Sequence, residues 1–181
     1  MSIIFFAYGE KMFSPQLLAI TPAAKCLGVA KIIGYKLFFH RLTNDDPSGK
    51  CNIIPVKDPG QEVYGVLYAL SAEERCLLDK AEGLGAFNQE ITLKVFPACP
   101  SSESLAQSGD LFAYTYIAYK ENVFEDLVPF NWYKKMVLSG AQQHHLPEAY
   151  IHSLEQYSAT SDPNLHRAKK QTDYLESAVL S

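Results

Sequence analysis

The sequence predicts a mixed α+β domain with a β-rich middle. Two observations carry this. Along the 181 residues the elements run strand, helix, several strands, helix, strands, helices. The strand segments are rich in Val, Ile, Tyr and Phe and are separated by Gly, Pro, Asn and Asp, whereas the last third shows apolar residues at helical spacing. Such an order allows a closed or nearly closed barrel flanked by helices.

Each element has a local reason. Ile3–Tyr8 is an apolar run that reads as a central strand. Ser14-Pro15 offers an N-cap and a proline at the first helical position, opening a short helix through Leu17, Leu18 and Ile20 that Thr21-Pro22 stops. Cys26–Ile33 and Tyr35–Leu42 read as strands around Gly34, followed by the turn-rich Asn44–Gly49. Asn52–Val56 is a short strand, Asp58-Pro59-Gly60 a turn and Val63–Leu70 a strong strand. Ser71-Ala72-Glu73-Glu74 is a capping box opening a helix expected to turn Leu77, Leu78 and Ala81 inward. Ile91, Leu93 and Val95 alternate as a half-buried strand. Residues 97–109 read as a Pro- and Ser-rich loop, and Leu111–Ala118 as a strand with Tyr114 and Tyr116 on one face. Two helical patterns follow, Trp132–Ala141 and Pro147–Tyr157. Asp162-Pro163 then reads as the cap of a last helix through Leu165, Ala168, Leu175 and Val179.

Composition limits the function classes. A length of 181 residues fits one domain with a substantial core, and 48% apolar residues argue against disorder. A net charge of −4 gives no basic footprint, so nucleic acid is not an expected partner. The four cysteines, 26, 51, 76 and 99, are spread without a C-x-x-C pair and read as reduced thiols. Neither a signal peptide nor a membrane-length apolar run is visible, so the expectation is a soluble, cytoplasmic protein without membrane association. His144-His145 is not read as a metal pair, because adjacent side chains point apart and no spaced ligand completes a set. The reading leaves room for a homodimer.

The chemistry is expected in two places. Phe6-Ala7-Tyr8-Gly9-Glu10-Lys11-Met12 ends a buried strand in a tight turn whose amides can face a ligand. Leu78-Asp79-Lys80-Ala81-Glu82-Gly83 puts a carboxylate at a helix end before a Gly-rich turn. Amide donors plus one carboxylate suit a small anionic substrate and a proton transfer. The plainer readings are a simple turn for Tyr8-Gly9, a solvated helix-end charge for Glu82 and a structural pair for Asp79.

These two motifs resemble those of the γ-glutamylcyclotransferase (AIG2-like) family, whose strand-loop signature reads Tyr-Gly-Ser-Asn and whose catalytic Glu lies in a Leu-Asp-x-x-Glu-Gly context. Val63-Tyr64-Gly65-Val66-Leu67-Tyr68, Ala30–Phe39, Tyr133-Lys134-Lys135, Ser139-Gly140-Ala141 and Leu146-Pro147-x-x-Tyr150 are similar to further family stretches, in order, from Phe6 to Leu154. The resemblance implies a small mixed β-barrel flanked by helices over residues 1–157, with residues 158–181 as a C-terminal helical extension. It implies cleavage of a γ-glutamyl amide by the substrate's own α-amine, releasing 5-oxoproline and an amine, with no cofactor and no metal. Glu82 would be the catalytic acid/base. Tyr8, Gly9, Glu10, Lys11, Phe87 and Tyr133 would bind substrate.

Three departures modify that expectation. Glu10-Lys11 replaces Ser-Asn; binding through backbone amides is expected, which makes the Glu10 side chain of little consequence, although Glu10 would repel a bound carboxylate unless it points away and Lys11 could attract one. Phe87 stands near the position of a family Tyr, and Phe130 where a Ser is usual, so a more apolar pocket and a different leaving amine are expected. The alternative is a non-catalytic small-ligand-binding or interaction domain on the same fold.

Overall fold

The apolar N-terminal run becomes β1 (Ile3–Ala7), the strand on which a barrel closes. The computed structural model describes residues 3–103, 105 and 110–179. The further strands are β2 (Lys25–Ile33), β3 (Tyr35–Arg41), β4 (Lys50–Pro55), β5 (Glu62–Leu70), β6 (Asn88–Pro97) and β7 (Leu111–Ala118). Five of them close in the order β1-β5-β2-β6-β7. β1 runs antiparallel to β5 from Ile3↔Leu70 to Ala7↔Val66, and parallel to β7 through Phe5↔Tyr114. Closure gives each of these five strands a paired neighbour on both sides, β2 meeting β6 at Ala30↔Pro97 and Lys31↔Phe96. The barrel core holds Phe5, Phe6, Val66, Leu67 and Tyr114, each almost wholly buried.

β3 and β4 form a separate antiparallel ribbon. Its register slips between Phe39↔Cys51 and Arg41↔Lys50, so one extra residue, His40, is accommodated on β3. Such a bulge bends the strand and re-aims the side chain beside it, here Arg41.

Helices flank the barrel: α1 (Ser14–Leu18), α2 (Ala72–Ala81), α3 (Pro100–Glu103), α4 (Asn131–Gln143), α5 (Glu148–Glu155) and α6 (Leu165–Val179). The capping box of α2 forms in both halves, with Glu74 N–H donating to Ser71 Oγ and Ser71 N–H to the Glu74 carboxylate. Its inward face is narrower than expected. Leu78 is fully buried, but Leu77 is 51% exposed and Ala81 is also exposed, because Glu74, one turn before Leu78, takes the other inward position and binds Ala23 N–H. Ser14 does not cap α1 either. Phe13 holds the N-cap position, and the Ser14 hydroxyl instead shares hydrogen bonds with Tyr68 OH and His144 Nε2. Part of the expected 97–109 loop is α3, while 104 and 106–109 lie outside the described residues.

The last helix is capped by Asn164, whose Oδ1 accepts from Arg167 N–H, rather than by Asp162. Asp162 is buried and accepts from Trp132 Nε1–H at 2.9 Å and from both Arg167 Nε–H and Nη2–H at 2.7 Å. Leu165, expected inward, is 79% exposed; the apolar anchor of α6 is Leu175, buried with Phe13 and Met136. Among the described residues no helix is long and apolar enough to cross a membrane.

A 3₁₀ turn, Glu10–Met12, follows β1 and lies against α4 at Gly140. A Cβ on Gly140 would stand 2.5 Å from Phe13 N and 2.7 Å from Met12 C. Both are backbone atoms that cannot rotate away, so α4 sets how deep the turn sits. Gly140→Ala is expected to destabilise the fold by about 1–3 kcal/mol, as overpacking does. Chemical denaturation measures it, and an unchanged midpoint would contradict this account of the turn.

Candidate active site

Glu82 owes its position to the way α2 ends. It is the C-cap residue, and its own N–H donates to Leu78 O at 2.8 Å. Beyond it Gly83 takes φ +64°, the left-handed region that suits glycine. Leu84 N–H then reaches Asp79 O and Gly83 N–H reaches Lys80 O, the two bonds of a Schellman motif. Asn88 Nδ2–H holds the Glu82 carbonyl from the far side. The Leu-Asp-x-x-Glu-Gly string thus encodes a helix stop that leaves the last carboxylate turned toward the barrel mouth.

The strand-end turn meets it there. Lys11 Nζ lies 3.3 Å from Glu82 Oε1 and 3.1 Å from Glu10 Oε1. Arg41 Nη1 donates to Glu82 Oε2 at 3.1 Å, and its Nη2 lies 4.0 Å from Glu10 Oε1. Tyr133 OH donates to Glu10 Oε2 and accepts from Cys51 N–H at 3.1 Å. Two carboxylates and two cations, each with a side chain at most 13% exposed, form one interlocked, charge-balanced set.

Electrostatics follow from that arrangement. Burial alone would push the Glu10 carboxyl up. Lys11, then Arg41, then the Tyr133 hydroxyl outweigh burial and hold it well below the usual carboxylate range. Burial would likewise push Lys11 and Arg41 down, but the facing carboxylates keep both firmly protonated. Tyr8 is buried, and burial raises its phenol far out of titration range. Its hydroxyl donates to Tyr116 O at 2.6 Å, while Tyr116 OH donates to Asp79 Oδ1 at 2.6 Å. Asp79 also faces Arg75 at 3.6 Å. It is occupied in holding α2 to β7.

The four charges separate two spaces. Behind them is a recess of about 30 Å³, room for roughly one water, lined by Phe5, Tyr8, Gly9, Cys51 and Tyr116. In front is a cleft of about 440 Å³ that includes Lys50, Lys80, Phe87, Trp132, Tyr133 and Arg167. Glu10, Lys11, Arg41 and Glu82 line both. The seven residues singled out from sequence therefore converge: Tyr8 and Gly9 on the recess, Phe87 and Tyr133 on the cleft, Glu10, Lys11 and Glu82 at the junction.

Two expectations change. The Glu10 side chain is not a bystander, because three groups around it depend on its charge. The cleft is also more charged than expected. Phe130 does not line it; that ring is buried beside Trp132 and under the Arg167 guanidinium, 5.4 Å from its centroid. Arg41 was not among the residues the sequence singled out. Its signal is a charged residue closing the strand Tyr35–Leu42, but the bulge that turns it inward has no sequence mark.

Removing one partner from a buried ion set leaves an uncompensated charge. Glu10→Gln is therefore expected to cost on the order of 3 kcal/mol of stability, read by denaturant titration at neutral pH. A variant as stable as the parent would mean that the set is not interlocked. A pH effect is expected at the outer wall. The Arg167 fork, then Trp132 and Asn164, hold Asp162 down at about 2, from 3.8. Because the folded value is depressed, the clamp stabilises α6 above about 3.8 and is lost as pH falls through about 2. Trp132 is the chain's one tryptophan. Its fluorescence should change over that window and lose the change in Asp162→Asn.

The chain is similar to known proteins over most of its length. A γ-glutamylcyclotransferase of Bos taurus is 25% identical over 175 residues, 93% of this chain and 83% of its own. One of Homo sapiens is 26% identical over 157 residues, 85% of this chain and 78% of its own. A solved γ-glutamyl cyclotransferase superimposes with a TM-score of 0.77 at 24% identity, covering 91% of this chain and 92% of that one, which supports the fold. The AIG2-like family matches residues 62–154, the segment that carries Glu82, Phe87 and Tyr133. That match spans half of the chain, and the protein belongs to the AIG2-like family.

Proposed function

We propose that the protein is a cyclotransferase acting on γ-glutamyl amides. The substrate's α-amine attacks its own γ-carbonyl, the amide C–N bond breaks, and 5-oxoproline and an amine are released. One observation carries this reading. A single helix-end carboxylate, Glu82, is fixed between two cations at the junction of a recess and a larger cleft. The bovine and human relatives named γ-glutamylcyclotransferase support it over most of this chain's length.

The chemistry asks little of the protein. Nucleophile and carbonyl arrive in one molecule, so folding the substrate into near-attack geometry supplies much of the acceleration. Glu82 takes a proton from the α-ammonium and returns it to the leaving nitrogen; overall, both protons that the α-nitrogen loses end on the released ammonium. Tyr8, Gly9, Glu10 and Lys11 would hold the γ-glutamyl head. The opening N–H groups of the 3₁₀ turn have no partner within that turn and can donate to polar atoms of the head. Phe87 and Tyr133 would contact the remainder in the cleft, with residues 158–181 as an extension that adds Arg167 and Gln171 to its outer wall.

A mass-spectrometric screen of γ-glutamyl dipeptides, γ-glutamylamines and glutathione should find 5-oxoproline from at least one, without added metal or nucleotide. Release from none of them would favour the non-catalytic binding domain. Glu82→Gln keeps size and polarity but cannot shuttle a proton, so kcat should fall by about 10²–10⁴ with KM little changed. A kcat within about threefold of the parent, below any general acid–base effect, would rule out Glu82 as that base.

A further inference from the structure

Resting on the γ-glutamyl reading of the site, we infer that Arg41 is the clamp for the substrate's α-carboxylate, and that its ion pair with Glu82 is a latch which that carboxylate releases. Arg41 is 5% exposed, and the β3 bulge beside it turns it to the junction of recess and cleft. Its donors are far from used up. Nη1 makes the one short bond to Glu82, Nη2 is 4.0 Å from Glu10, and the buried Nε–H has no acceptor among the described residues. A buried guanidinium with a spare edge is costly unless something fills it, and that edge fits a planar carboxylate two bonds at a time. The other cation is differently placed. Lys11 Nζ already touches both carboxylates, at 3.1 and 3.3 Å, and offers a point charge without a fork.

Charge and space point the same way. The free set is balanced, two anions against two cations, so a net-neutral α-amino-acid head adds one charge of each sign and keeps the balance. The recess behind the set holds about 30 Å³, so the head cannot lodge there while the four side chains remain closed on one another. An incoming carboxylate that takes the Arg41 fork draws it from Glu82. The freed Glu82 oxygen then accepts from the α-ammonium, the proton it must remove.

The test compares L-5-oxoproline with 2-pyrrolidinone, the same ring without the carboxylate. The chain has three arginines, 41, 75 and 167, so side-chain ¹⁵Nε spectra of the intact labelled protein carry three signals, and Arg41→Lys identifies the relevant one. That signal should shift on adding 5-oxoproline and stay in place with 2-pyrrolidinone. By calorimetry, Arg41→Gln should weaken 5-oxoproline binding by about 10- to 100-fold, as expected for losing hydrogen bonds to a charged group. It should erase the preference over 2-pyrrolidinone. An Arg41 signal indifferent to 5-oxoproline, or a preference that survives in Arg41→Gln, overturns the inference. Should that variant fail to fold, the spectra of the parent protein decide. Turnover of γ-glutamyl compounds by the same preparation is read separately. Its absence would sink the cyclotransferase reading, while the Arg41 response stands or falls on binding alone.

Discussion

The interlocked set of Glu10, Lys11, Arg41 and Glu82 is the constraint around which the site is organised. Four ionised groups cannot be taken out of water unless each faces its opposite at short range. That requirement fixes the relative placement of three separate elements: the turn after β1, the end of β3 and the end of α2. Each is brought in by its own device. Gly140 lets the turn settle onto α4. The bulge at His40 rotates the end of β3. The Schellman motif around Gly83 stops α2 with its last carboxylate inward. Tyr133 adds a fourth element by hydrogen-bonding both Glu10 and the backbone of Cys51.

This set contributes more to register than to stability. Buried ion pairs rarely exceed the desolvation they cost, and the apolar barrel core supplies the main driving force. What the charges add is discrimination. A one-residue slip of β3, or a longer α2, would bury an unpaired cation or carboxylate. The Asp162–Arg167 fork does the same further out, where it fixes α6 through Trp132 and so sets the outer wall of the cleft.

Much of this was legible in the sequence, for identifiable reasons. The strand periods, the Ser71–Glu74 capping box and the Glu-Gly helix stop are local patterns whose geometry depends on a few neighbouring residues. They located β1, β5, β7, α2 and the position of Glu82. Inward faces were harder. Leu77 and Leu165 carry the right spacing but lie outside, while Glu74 and Asp162, polar residues held by hydrogen bonds, are buried instead. Ser14 has the residue type of a cap but is drawn to Tyr68 and His144, which are 54 and 130 positions away. Arg41 was illegible for the same reason. Its role comes from a non-local register shift and from charges supplied by two other segments.

The replacement of a Ser-Asn type loop by Glu10-Lys11 is best understood together with Arg41. A buried arginine at this mouth would face Glu82 alone if the loop were neutral, with Lys11 gone as well. With Glu10 and Lys11 present, Arg41 and Glu82 each gain a second partner, and the site can hold two full cations while remaining balanced. A loop that binds only through amides offers partial charges. A balanced ionic loop offers whole ones, and the Arg41 Nε–H still lacks an acceptor among the described residues. The substrate best able to open such a set is one that brings both signs at fixed spacing, as an α-amino-acid head does. The departure from the family pattern at Glu10 thus changes the charges at the junction while Glu82 keeps its place at the end of α2.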